Sequence, residues 1–358
     1  MQKIEFDTNL DEKKVKISCE KLGQLVEKCT NLTTKRLQKF GEDIGAVLEK
    51  YPDIIEKYPD IMDLDFLRSM LPANFSIANN KLANEMTKNF VDQENDPQQL
   101  VVIKGSNKVK EVVTLASLTY DDENITFLST REFTPYDRTV HNAVCSLYIA
   151  GNEIITAAMV YRAMNGMTES EYVDPSTLEA VTESLEKSIR LRLKVDFTDE
   201  AKARNINVNE YLIEDYLLNA KWIKVRVGGD NIIEAYKINE QPILHYYAGL
   251  TKQILSVPAK LLNTKDATRN TERIIPIKEY LLRRIEVMKS NKAMGNRIAY
   301  DTIFKESGVT VKDRAQKERM RKYIREILNL WKERDGYIKD FSEYKERNSI
   351  KGIEIILK

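Results

Sequence analysis

Residues 311–334 read VKDRAQKERMRKYIREILNLWKER, and Asp335-Gly336 follow at once. Met320, Ile324, Ile327, Leu328 and Trp331 form one apolar stripe, which predicts a helix from about Val311 to Arg334. Asp335-Gly336 then reads as a tight turn into a strand at Tyr337–Phe341, with a return strand at Ile350–Leu357 after a polar tip at Glu343–Asn348. The N-terminal half of the helix carries Arg314, Lys317, Arg319, Arg321, Lys322 and Arg325. Arg314, Lys317 and Arg321 fall on one flank, and Glu318, Lys322 and Arg325 on the next.

Upstream, Pro276 opens a helix with Tyr280, Leu281, Ile285 and Val287 inward, and a short helix at Ile298–Glu306 ends at Ser307-Gly308. Three helices and a hairpin is the winged-helix order, a helix-turn-helix relative whose third helix enters the major groove. The order recurs earlier. Thr134-Pro135 starts a helix with Val140, Ala143, Val144, Leu147 and Tyr148 inward, a short helix spans Thr156–Met164, and Asp174-Pro175 opens a third helix striped by Leu178, Val181, Leu185 and Ile189. Strands at Leu191–Phe197, Lys221–Val227 and Ile232–Ile238 follow. Matching element order and turn positions predict a tandem repeat of one fold.

Ahead of both units, Leu100–Lys104, Val109–Ser117 and Asn124–Ser129 read as a three-stranded meander. Residues 1–95 read as helical, with Ser18 and Thr33-Thr34 as helix starts and EKYPDI at Glu49–Ile54 repeated at Glu56–Ile61 as two turns. Asp60, Asp63 and Asp65 fit a solvated helix start better than a calcium loop, which needs more oxygen ligands. The expected fold class is therefore α+β and helix-rich: a helical region at 1–95, a first winged-helix domain with a strand-rich lead-in at 98–265, and a second, basic winged-helix domain at 272–358.

The chain has 358 residues and a net charge of +1, from 56 Lys+Arg against 55 Asp+Glu. That neutrality hides a division. Residues 272–358 hold 22 basic and 14 acidic side chains, a net of +8, and residues 1–271 carry −7. A basic segment of domain size on an acidic body is the footprint of a nucleic-acid reader. No run of 18 apolar residues predicts a membrane span, and the N-terminus reads as no secretory signal. Cys19, Cys29 and Cys145 form no CxxC pair and read as reduced thiols of a cytoplasmic protein.

Phe133-Thr134-Pro135-Tyr136-Asp137-Arg138, Ile154–Asn165 (IITAAMVYRAMN) and Leu281-Leu282-Arg283-Arg284-Ile285, set in two serial winged-helix units, resemble the replication initiators of bacterial plasmids. They are similar to those of low-GC Gram-positive mobile elements, and the resemblance covers residues 98–358. It implies sequence-specific binding of double-stranded DNA at repeated origin sites, help in opening that DNA, recruitment of host replication proteins, and a first unit that serves DNA contact, a homodimer interface or both. A winged-helix transcriptional repressor is the alternative within the same fold. A tyrosine-dependent nicking protein and a protein-interaction adaptor are further ones.

In the second unit, the DNA contacts expected are Arg314, Lys317, Arg319, Arg321, Lys322 and Arg325 on the helix and Lys345 and Arg347 at the wing. Reversing the charge of Lys317 and Arg321 is expected to abolish binding without disturbing the fold. In the first unit, Glu179, Glu183 and Glu186 oppose phosphate, leaving Ser176, Thr177, Lys187, Arg190, Lys224 and Arg226 as candidates. Catalysis is not expected. The chain lacks GxxxxGK[ST] and HExxH, His141 and His245 are its only histidines, and neither a metal nor a cofactor is implied. Trp222 and Trp331 read as core anchors.

Overall fold

The computed structural model describes residues 71–89, 98–106, 109–120, 132–169, 171–203, 205–226, 232–291, 293–347 and 349–358. The helices expected between residues 18 and 51, the EKYPDI repeat, the Asp60, Asp63 and Asp65 cluster, Cys19, Cys29, the strand at 124–129 and the turn at 228–231 lie outside these residues.

The described chain mixes helix and sheet. It begins β1 (Asn74–Ala78), α1 (Lys81–Asn89), β2 (Gln98–Ser106), β3 (Val109–Tyr120), α2 (Pro135–Ile149), β4 (Ile154–Ile155), α3 (Ala157–Met164) and α4 (Pro175–Arg190). Next come β5 (Leu191–Asp196), α5 (Thr198–Ala203), β6 (Leu212–Tyr216), β7 (Ala220–Arg226), β8 (Ile232–Ile238), α6 (Ile243–Leu250) and β9 (Ile254–Pro258), then a 3-10 turn at Ala259–Leu262. The last stretch is α7 (Ile274–Ser290), β10 (Arg297–Ala299), α8 (Tyr300–Glu306), α9 (Arg314–Glu333), β11 (Asp340–Glu346) and β12 (Ser349–Ile356).

Local chemistry starts the helices where the sequence predicts. Thr134 Oγ1 accepts from the Asp137 amide at 3.2 Å while Asp137 Oδ2 accepts from the Thr134 amide at 2.8 Å, a reciprocal cap ahead of Pro135. Asp174 accepts from the Ser176 amide at 3.0 Å and opens α4. Helix α7 starts two residues before Pro276, which still falls in the first turn, where its missing N–H leaves no intrahelical bond unmade.

The residues divide into two compact units. The smaller includes residues 152–156 and the hairpin strands β7 and β8, in a sheet ordered β4-β8-β7. Ile154 and Ile155 pair there with Lys237 and Tyr236.

In the larger unit, an antiparallel sheet runs β2-β3-β5-β6. Leu191, Leu193 and Val195 alternate inward with the period of a strand, while Arg192 and Lys194 on the other face reach Glu214 at 3.6 and 3.4 Å. The inward set joins Leu82 and Met86 of α1, Leu118 of β3, Ala201 of α5 and Leu244 and Tyr247 of α6 in one core. Two expectations change here. Leu191–Phe197, expected as one of three strands after the third helix, does not pair with the other two, because β5 takes the free edge of β3, with Leu118 opposite Leu193. Nor is the described end of the N-terminal region wholly helical: Asn74–Ala78 is a strand paired antiparallel with Ile254–Pro258, buried at Phe75 and Ile77.

Helix α7, β10, α8, α9 and the β11–β12 hairpin complete this unit, their sheet ordered β10-β12-β11. The short strands β4 and β10 sit where sequence alone reads helix or turn. Each is two or three residues long, too short to show a period of two, and forms only because the last strand of its sheet offers an edge. Gly352 permits that approach in β12, since a Cβ there would lie 2.2 Å from the Ile298 carbonyl oxygen. The hairpin is also longer than expected. Glu343–Glu346, read from the sequence as part of the polar tip, belong to β11.

Candidate nucleic-acid interface

Helix α9 carries six of the contact residues expected from the sequence. Asp313 caps it, accepting from the Gln316 amide at 2.7 Å, and Gln316 Oε1 accepts in return from the Lys312 amide at 2.8 Å. Its stripe of Met320, Ile324, Ile327, Leu328 and Trp331 is buried as read from the sequence. The remaining faces divide the basic residues into two groups.

One group is tied to the neighbouring sheet and α8. Lys317 Nζ meets Asp301 Oδ1 at 2.7 Å, and that bond holds the Asp301 carboxyl below its usual range. Arg321 is 16 % exposed; its Nη2 donates to the Ile350 carbonyl at 3.0 Å and its guanidinium lies 5.0 Å from the centre of the Tyr300 ring. Arg325 Nη1 donates to Glu343 Oε1 at 2.9 Å, and the Tyr300 hydroxyl donates to the same oxygen at 2.5 Å. Burial works against the Glu343 charge, but the bonds from Tyr300 and Arg325 outweigh it and hold that carboxyl low. Burial and the same carboxylate push the Tyr300 phenol up. These contacts fasten the hairpin to the helix. The expected charge reversal at Lys317 and Arg321 is therefore corrected: it would break the Asp301 pair and the Arg321–Ile350 bond, so it cannot leave the fold untouched.

The second group faces outward. Arg314 and Arg319 are exposed and have no ion pair among the described residues, and Lys322 is 66 % exposed with Glu326 at 3.8 Å. Folding brings them company that sequence reading did not assign. An open depression of about 460 Å³ between α8 and the start of α9 is lined by Lys305, Lys312, Arg314 and Lys317 with Asp301 and Asp313, and a neighbouring one of about 330 Å³ by Arg273, Lys312 and Arg319 with Asp313. Lys312 was adjacent to the helix in sequence; Arg273 and Lys305 come from other segments, so only the fold assembles this cluster. On the hairpin, Lys345 follows an irregularity in the β11–β12 register, and Arg347 sits at the tip with φ 46°, both exposed.

The candidates of the first half fare differently. Lys187 is corrected: it is buried, donating to Asp137 Oδ2 and to the Glu132 carbonyl, each at 2.9 Å, so its charge neutralises a capping carboxylate rather than facing solvent. Arg190 is half-buried beside Glu186 at 3.5 Å. Ser176 and Thr177 are at the exposed start of α4, but their hydroxyls donate to Asp174 Oδ1 at 2.9 Å and to the Asp174 carbonyl at 2.7 Å. In the smaller unit, Lys224 is exposed, with Glu234 at 3.6 Å and its ammonium 5.8 Å from the Trp222 ring centre. Arg226 ends β7, and its side chain lies outside the described residues. Trp222 is not a core anchor: it lies 51 % exposed on an edge strand of its sheet, whereas Trp331 is fully buried.

The segments that prompt the family resemblance are structural. Phe133 is in the core, Asp137 caps α2, and Arg138 is buried with Nη1 donating to Asn84 at 2.6 Å and Nη2 to the Ala78 carbonyl at 2.5 Å. Glu279 of α7 faces Arg138 at 3.9 Å and Arg283 at 3.6 Å. Lys278 is fully buried, and three neutral oxygens, of Asn165, Leu262 and Asn270, accept from its Nζ at 3.1, 2.8 and 2.8 Å. Burial pushes its pKa down to about 7, yet only –NH₃⁺ has three N–H bonds to serve all three acceptors. Among the described residues no group of three or more His, Cys, Asp or Glu side chains could hold a metal ion, and no helix is long and apolar enough to cross a membrane.

No family model matches the chain, and no curated protein matches it in sequence. Among solved structures it is similar to selenomethionine derivatives of domains 2 and 3 of RctB, at 8% identity and a TM-score of 0.38, covering 78% of this chain and 97% of that one. It is likewise similar to the RctB domains 2–3 in a structure of residues 155–483, at 8% identity and a TM-score of 0.37, covering 74% of this chain and 93% of that one.

Proposed function

We propose that this chain is a non-enzymatic, sequence-specific double-stranded DNA-binding protein that acts in the cytoplasm as a plasmid replication initiator at repeated origin sites. The observation that carries the reading is the cluster of outward cations, Arg273, Lys305, Lys312, Arg314 and Arg319, around the N-terminal half of a long exposed helix, with Lys345 and Arg347 on the hairpin beyond it. Helix, short strand, helix, long helix and hairpin, with the sheet ordered β10-β12-β11, is the arrangement expected of a winged helix.

On this reading α9 enters the major groove by its N-terminal half, and the flanking cations neutralise phosphates on either side. The hairpin tip reaches the adjacent backbone or minor groove. Flexible pyrimidine–purine steps beside the site lower the cost of bending and opening the duplex. Recruitment of host replication proteins and pairing with a second copy belong to the same proposal.

Gel-shift titration of the full chain on directly repeated sequences flanking its gene tests the reading. Arg314→Glu with Arg319→Glu is expected to weaken binding by about a hundredfold at moderate salt while leaving the unfolding transition in place. Equal affinity for the double variant and the wild type would overturn the assignment of α9.

A further inference from the structure

Helix α9 sets Glu318 among its outward cations. Glu318 lies one turn after Arg314 and one turn before Lys322, and it is 54 % exposed. A bare carboxylate there would repel phosphate and weaken binding to every DNA sequence alike. Glu318 is not bare. Its Oε2 accepts from Arg321 Nη1 at 3.4 Å, and its Oε1 accepts from Arg325 Nη1 and Nη2 at 3.4 and 3.3 Å. Both guanidiniums are fixed from behind, Arg321 by the Ile350 carbonyl and Arg325 by Glu343. The carboxylate is thus neutralised and steadied on its inner side. An ionised carboxylate has roughly four lone-pair sites, so with three inner bonds an acceptor remains for a group approaching from outside.

We propose that Glu318 reads a base. Resting on the DNA-binding reading of α9 above, the inference is that its carboxylate accepts a hydrogen bond from the exocyclic amine of a cytosine in the major groove. Adenine also presents an amine there, but its N7 acceptor lies alongside and would face the carboxylate unfavourably; cytosine presents the donor alone. Arg321 and Arg325 are then positioning residues for this contact, while Arg314 and Arg319 hold the backbone.

The test is selection from a pool of duplexes with a randomised core, using the full chain as wild type, Glu318→Ala and Glu318→Gln, and sequencing the bound fraction. Wild type is expected to enrich a motif with cytosine at one position. Glu318→Ala should lower that preference by about tenfold and leave the other positions unchanged. Glu318→Gln keeps an oxygen for the two guanidiniums and should move the preference towards adenine, whose N6 and N7 match an amide; it carries the test even if the alanine variant fails to fold. Reduced binding with identical base frequencies in both variants would mean that Glu318 only braces the arginines, which overturns the proposal and leaves DNA binding standing. A wild type that enriches no motif would instead overturn sequence-specific binding, and the proposal with it.

Discussion

His141 shows how a polar residue can oppose folding in one pH range. It lies within α2, 1 % exposed, and neither ring nitrogen has a hydrogen-bond partner among the described residues. Burial, with His245 and Arg138 nearby, holds its pKa down at about 3. The unfolded chain therefore takes up a proton at this position below about pH 6.5 that the native state refuses until about pH 3, so stability falls as pH falls through that window. His245, bonded to Ser76 Oγ at 2.7 Å and lowered to about 4 by burial, acts in the same direction. Replacing His141 with Leu removes one of the two contributions. In urea titrations the variant should lose about 2 kcal/mol less than wild type between pH 7.5 and pH 5. A parallel pH dependence for the two proteins would show that His141 is reached by protons in the native state.

At the scale of elements, the hairpin is placed by contacts that long-range pairing creates. A Cβ at Gly352 would meet the Ile298 carbonyl oxygen at 2.2 Å and the Ala299 Cα at 2.7 Å, both backbone atoms that can yield only if β10 leaves β12. Gly352→Ala should therefore cost about 2–4 kcal/mol in chemical denaturation. It should also weaken DNA binding, by moving the hairpin against α9. Arg319→Ala, on the exposed face, should change stability by less than about 0.5 kcal/mol. The contrast marks what could be read from the chain. The α9 stripe follows from neighbours three or four residues apart, the Thr134-Pro135 and Asp174-Pro175 starts from adjacent cap and proline residues, and both hairpins from strand runs broken by turn residues. The β3–β5 pairing, the strand at Asn74–Ala78 and the two-residue strand β4 depend on partners tens of residues away or more. The site divides the same way. Arg314 and Arg319 stand out in the sequence, but nothing in it separates them from Lys317, Arg321 and Arg325, because the distinguishing partners, Asp301, Ile350 and Glu343, come from other elements.

For the whole molecule, the 22 basic side chains of residues 272–358 overstate the cations available to a polyanion, because several are already paired with the acids that bring the net down to +8. Lys317 with Asp301, Arg325 with Glu343 and Lys332 with Asp340 at 2.8 Å each carry their counter-charge inside the fold. Counterions released on binding DNA come from phosphates that the protein neutralises afresh, so only outward cations contribute fully to the salt dependence. These are held in fixed places on the larger unit. Trp331 Nε1 donates to the Leu261 carbonyl at 2.8 Å and Arg334 Nη2 to the Asn263 carbonyl at 2.9 Å, which ties the end of α9 to the segment preceding α7. A plot of log affinity against log salt concentration for the full chain should accordingly lose about 0.9 of slope for each of Arg314→Ala and Arg319→Ala, and nearly twice that for the pair. Lys332→Ala should leave the slope where it is, although it removes the same formal charge. Equal losses of slope for Lys332 and Arg319 would show that net charge alone governs binding, and the division of α9 into a fastened flank and a reading flank would have to be given up.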